Sequence, residues 1–135
     1  RMNVPFMFRD NMHKEITDEI VQNIDYPAIL CNMCGIDYNY SGTDANIPRF
    51  IGGSERKYAF SQTIFPGDCY QAAIMTKDYT YYFLSQEKVT NEFRIDITDA
   101  SYGIVYDNKN SNKKPDLNIF TDIVLQHIKN LVIRR

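Results

Sequence analysis

Apolar residues recur every four positions in the stretch DNMHKEITDEIVQNI. Met12, Ile16, Ile20 and Ile24, with Val21 beside them, make one stripe of a helix. Asp10 suits an N-cap, and Pro27 stands where the helix is expected to stop. The spacing predicts a helix over about residues 11–24. From Tyr26 onward the period shortens to two, and Ile36, Tyr38 and Tyr40 alternate with Asp37 and Asn39 as a strand would.

The middle of the chain keeps that shorter period. Tyr58, Phe60, Gln62 and Ile64 share a face in RKYAFSQTIF. Phe65-Pro66-Gly67-Asp68 has the chemistry of a type II turn, proline setting φ and glycine accepting a positive one. CYQAAIM follows as the hairpin partner, and Lys77-Asp78 turns the chain again into YTYYFLS. There Tyr79, Tyr81 and Phe83 alternate with Thr80 and Tyr82. EFRIDIT alternates most cleanly, with Phe93, Ile95 and Ile97 expected inward and Arg94, Asp96 and Thr98 outward. YGIVY is the last strand candidate. A closing helix opens at Pro115-Asp116 with an apolar stripe of Leu117, Phe120, Ile123, Val124, Ile128 and Leu131, and Arg134 and Arg135 complement its C-terminal dipole.

Short links between half-polar strands favour antiparallel pairing. The predicted fold class is therefore α+β: an antiparallel meander of five or six strands flanked by an N-terminal and a C-terminal helix. A length of 135 residues fits a single domain over 1–135 with one core.

Composition sharpens this only in part. Apolar residues at 44% and charged residues at 24% are ordinary for a globular chain. A net charge of -2 provides no field to draw the protein to nucleic acid or an acidic membrane. No apolar run reaches the ~20 residues that span a bilayer, and MNVPFMF lacks the length and flanks of a signal peptide. Three cysteines without an obvious pairing read as reduced thiols of a cytosolic or nuclear compartment, and the expected location is cytoplasmic. Asn, Ile, Lys and Tyr fill about a third of the chain, a bias that suits an AT-rich genome such as that of many phages and viruses.

Candidate chemistry is sparse. Cys31-Asn32-Met33-Cys34-Gly35 has the spacing of one zinc knuckle, but a full site needs four ligands. Only Cys69, His13 and His127 remain, and they are scattered. In an uninterrupted strand Cys31 and Cys34 would point to opposite faces. A redox pair would be expected at a helix N-terminus. The pair is thus expected to be small buried strand residues, with no metal and no cofactor.

Asp68-Cys69 in FPGDCYQAAIM resembles the nucleophile segment of OTU-type and viral papain-like proteases, which would make Cys69 a nucleophile and His127 its base. In those families the cysteine opens a helix, whereas Tyr70, Ala72 and Ile74 alternate here. FRIDITDASYGIVYDNK resembles the core of restriction-type nucleases. Asp96 or Asp99 with Asp107 would hold Mg²⁺, and Lys109 would steady the attacking water. The run Asp107-Asn108-Lys109-Asn110-Ser111-Asn112 is also plain turn chemistry. No phosphate-binding glycine loop and no HExxH zinc motif is present.

The expectation that remains is a non-enzymatic protein-interaction or assembly module, meeting another protein or a copy of itself. Nucleic acid is the lesser alternative, and a membrane is not expected. Tyr79, Tyr81 and Tyr82 supply aromatic contact residues on the sheet. The Gly- and Pro-bearing loop 41–55 carries Arg49 and Phe50, residue types that dominate interface energetics. The order helix, strand, meander, strand, helix resembles phage tail-terminator and head–tail connection proteins, through element order and not through a motif.

Overall fold

The computed structural model describes residues 18–39, 44–95, 103–109 and 115–133. The chain divides into two compact units, Arg1–Ala59 and Phe60–Arg135. The described residues form an α+β arrangement with one open sheet and two α-helices.

In the first unit, residues 18–22 are not helical; a 3-10 turn over Asn23–Asp25 leads into helix α1, Tyr26–Met33. The helix expected over 11–24 does not run through residues 18–22, and its residues 11–17 lie outside the described ones. Pro27 explains why a helix begins where one was expected to have stopped. It sits in the first turn of α1, where its missing N–H would have had no helical acceptor anyway, so it opens a helix rather than ending one. Ala28 and Ile29 are fully buried. The helix stops at Gly35, whose φ of 66° is the left-handed conformation that glycine takes at little cost. The strand expected across Ile36 and Tyr38 is not formed; both side chains are exposed.

The loop expected over 41–55, with Arg49 and Phe50 at its tip, is closed on itself through its described residues 44–55. A 3-10 turn, Arg49–Ile51, lies against α1. Ser54 N–H donates to Ile47 O at 2.8 Å, and Gly53 N–H donates to Pro48 O at 3.0 Å. Pro48 and Ile51 are buried. A Cβ on Gly53 would meet Ile47 O at 1.8 Å, closer than any real contact, so the backbones approach only because no side chain intervenes. Gly53→Ala should therefore destabilise this loop by ~1–3 kcal/mol. Thermal melting, together with faster proteolysis between residues 44 and 55, would register it, and an unchanged melting curve would show that the closure is dispensable.

The second unit is the sheet: β1 (Ala59–Thr63), β2 (Cys69–Met75), β3 (Tyr79–Lys88) and β4 (Gly103–Asp107), ordered β1-β2-β3-β4 as an antiparallel meander. The turn at Phe65–Asp68 forms as the sequence predicts. Asp68 N–H donates to Phe65 O at 3.1 Å, and Gly67 takes a φ of 84°. The described residues hold four strands rather than five or six. One expected strand is replaced at its start by a turn, in which Phe93 N–H donates to Thr90 O and Thr90 N–H to Arg94 O. Phe93 takes a φ of 57° and is 51% exposed, against the expectation that it is core. Ile95 is buried and Arg94 exposed, as expected; Ile97 lies outside the described residues.

Helix α2, Leu117–Ile133, covers one face of the sheet. Phe120, Val124 and Ile128, spaced by four, are its buried stripe. Phe120 stacks on Tyr81 with ring centroids 5.2 Å apart, and the His127 ring lies flat on Phe60 at 3.7 Å. Tyr70, Ala72, Ile74 and Phe83 complete this core. Tyr70 donates its hydroxyl to Gln62 Oε1 at 2.9 Å, and burial pushes its phenol well above the usual tyrosine range, so it stays a donor.

Candidate functional site

Side chains on a strand alternate between faces, so the core just described leaves a second set of β2, β3 and β4 residues pointing the other way. The register makes that face explicit. Ala73 pairs with Tyr82, Gln71 with Leu84, and Tyr82 with Ile104. Tyr82, Leu84, Ile104 and Tyr106 are all exposed, from 45% to 60%. Tyr82 and Tyr106 are diagonal neighbours whose rings meet edge-to-face, 5.7 Å apart at 82°. Beside them runs a groove of about 670 Å³. It is lined by Ala73 of β2, Tyr82 and Leu84 of β3, Ile104 of β4, and Ser61 and Thr63 of β1, among others. None of its lining residues is charged.

Such a face can bury aromatic and aliphatic surface and offer hydroxyl and amide groups at its border. Among the described residues that line the groove, none brings a carboxylate, imidazole or thiol with which to move protons or hold a cation. Among the described residues, no group of three or more His, Cys, Asp or Glu side chains is placed to hold a metal ion. No helix among them is long and apolar enough to cross a membrane.

Of the three tyrosines singled out from the sequence, Tyr82 stands on the open face. Tyr81 is in the core under α2, and Tyr79, half-buried, shares Tyr81's side of the strand. Leu84, Ile104 and Tyr106 were missed, although their signal was present. Period two continues through YTYYFLS and YGIVY, so both outward sets could be read once Tyr82 was placed outward.

Arg49 and Phe50 lie in the 3-10 turn of the closed loop. Arg49 is largely exposed, but its Nε lies 3.4 Å from Glu19 Oε1 and its Nη1 3.7 Å from Glu55 Oε2. Its own N–H donates to Glu19 Oε2 at 2.9 Å. The residue fastens the loop, and Phe50 is half-buried beside it.

The nuclease residues are divided. Asp96 and Asp99 lie outside the described residues. Asp107 Oδ1 accepts the N–H of Lys109 at 2.9 Å, a turn closing on its own side chain. Lys109 Nζ lies 2.6 Å from Asp78 Oδ1. Between them Asn108 ties the turn to the sheet, its N–H reaching Asp78 O at 2.7 Å and its Oδ1 accepting from Thr80 Oγ1 at 2.9 Å. The described members thus build the β4 exit turn. Cys69 opens β2 rather than a helix and is free and half-buried, while His127 is stacked on Phe60.

Comparison of the chain with family models, with curated proteins and with solved structures found no match. The resemblances drawn from short segments therefore rest on those segments alone. The class of protein that fold and site define is an α+β chain whose antiparallel sheet carries a helix on one side and displays, on the other, exposed tyrosines beside an uncharged groove.

Proposed function

We propose that the protein is a non-enzymatic interaction or assembly module whose open sheet face binds the apolar, uncharged surface of a protein partner. The observation that supports this reading is the exposed quartet Tyr82, Leu84, Ile104 and Tyr106. Scattered apolar side chains are normal on a surface, but a contiguous group of them, rimmed by polar residues, marks an interaction site. Tyrosine suits such a site because its ring supplies contact area while its hydroxyl stays wet. The absence of charge from the groove favours a partner recognised by shape and apolar burial over a polyanion. Assembly inside a viral or phage particle is the setting that the composition and element order favour, and three free thiols favour the cytoplasm.

Photo-crosslinking tests the reading. A benzophenone amino acid placed at Leu84 or Ile104 should give one discrete cross-linked product in cells that make the protein. The same group at Asn118, exposed in the first turn of α2, should give none. Ile104→Glu, with the cross-linker at Leu84, should reduce the product about tenfold, the effect of ~1.4 kcal/mol in affinity. Equal labelling from both positions, or none from either, would refute the assignment of the site.

A further inference from the structure

The C-x-x-C pair is in a helix and not in a strand, and that correction changes its chemistry. Cys31 lies in the last turn of α1 and Cys34 is its C-cap. Residues three apart on a helix share a face, with Cα atoms about 5 Å apart by helix geometry. A disulfide needs roughly 4.4–6.8 Å.

The backbone tightens the turn further. Cys34 N–H is shared between Leu30 O and Cys31 O, 3.1 Å from each. The second of these bonds is of the 3-10 type, in which side chains three apart eclipse. Ile36 N–H also donates to Cys31 O, at 2.9 Å, and Gly35 takes the left-handed conformation that lets the chain turn away. Both cysteines are free; Cys34 is exposed and Cys31 partly so. Beyond Cys34 the chain leaves the helix, and Gly35 N–H closes the turn on Asn32 O at 3.1 Å.

We propose that Cys31 and Cys34 form a thiol–disulfide exchange site that reacts with a small disulfide of the glutathione class. Cys34, the more exposed, attacks as thiolate on one sulfur of the small disulfide. Its S–S bond breaks and one thiol leaves, carrying the proton lost from Cys34. Cys31 then attacks Cys34 Sγ within the mixed disulfide, and the second thiol leaves with the proton from Cys31. Two protein thiols become one disulfide and the small disulfide becomes two thiols, so electrons and protons balance. The ring closes over only two intervening residues, Asn32 and Met33, which makes the bond readily reversible by the same small thiol. The site is independent of the sheet face.

The test uses the full chain carrying Cys69→Ser, equilibrated with glutathione buffers of rising glutathione disulfide, quenched in acid and alkylated. Mass analysis of the peptide spanning residues 31–34 should show loss of two hydrogens with almost no bound glutathione. In the further variant Cys31→Ser the attacking thiol has no resolving partner, and glutathione on Cys34 should rise at least tenfold, roughly what loss of intramolecular exchange implies. Excess reduced glutathione should restore both thiols in the parent. Both thiols staying alkylatable throughout, glutathione persisting on Cys34 in the parent, or a disulfide between two chains on a non-reducing gel would each overturn the proposal. So would one zinc per chain that shields both thiols from alkylation.

Discussion

Asp25→Ala should cost the first unit ~3–5 kcal/mol, because it leaves the Arg56 guanidinium partly buried without its counter-charge. Asp25 is 1% exposed and the Arg56 side chain 10%. The carboxylate receives two nitrogens of Arg56, Nε at 3.1 Å and a closer Nη2, together with the backbone N–H groups of Gln22 and Asn46, each at 2.8 Å. Arg56 also donates to Asp44 O at 2.5 Å. One carboxylate thus ties the entry of α1 to both ends of the loop that follows. An ion pair gains little when both members are solvated, but removing one member of a buried pair strands the other. Asp25→Ala combined with Arg56→Met should therefore be less destabilised than Asp25→Ala alone. Urea denaturation monitored by tyrosine fluorescence decides this. A single-variant cost below ~1 kcal/mol, the size of a surface pair, would refute the role given to Asp25.

The second large effect separates two neighbours. Tyr81→Ala should cost ~3–5 kcal/mol, as deletion of a large buried aromatic does. Tyr82→Ala should stay within ~1 kcal/mol, the scale of an exposed cross-strand pair. Tyr81 is 1% exposed, stacked on Phe120, and its ring occupies the space that a Cβ on Gly103 would need, with ring carbons 2.2–2.3 Å from that position. Tyr82 is 45% exposed and meets only the edge of Tyr106 among the ring contacts described. Thermal denaturation of the two variants measures the difference directly. Similar costs would mean that the register between β3 and β4 differs by one residue from that described, since a one-residue slip exchanges the two faces.

Much of the second unit was legible in the sequence because local chemistry and burial agree there. Phe65-Pro66-Gly67-Asp68 encodes its own turn, and β2 and β3 each bury alternate residues. Of the α2 stripe expected from spacing, Phe120, Val124 and Ile128 are buried, whereas Leu117 in the first turn is exposed. The first unit was less legible for an identifiable reason. Pro27 suits a helix stop and a helix start alike, and period four upstream of it favoured reading it as a stop, whereas it opens α1. Ile36 and Tyr38 alternate with polar residues although both are exposed, so their pattern reflects no burial. Phe93 failed similarly, because its alternation begins inside a turn. The role of Asp25 was out of reach, since nothing in periodicity marks a carboxylate whose partner lies 31 positions away. For the candidate site, Tyr82 was legible, whereas Tyr79 and Tyr81 carried the same residue type to the opposite face.

Sequence separation gives the two units different routes to folding. Every strand of the meander pairs with the next in the chain, and β2 and β3 join through a turn held by Thr76 and Tyr79, whose N–H···O distance is 2.9 Å. Such a hairpin closes on the microsecond scale. In the first unit Arg56 meets Asp25 across 31 positions of chain, a loop whose closure must precede the reward of that contact. On a ribosome the order of synthesis works against this inequality. The unit with the longer-range contact emerges first, and its entropic search is under way while the faster-folding meander is still being made.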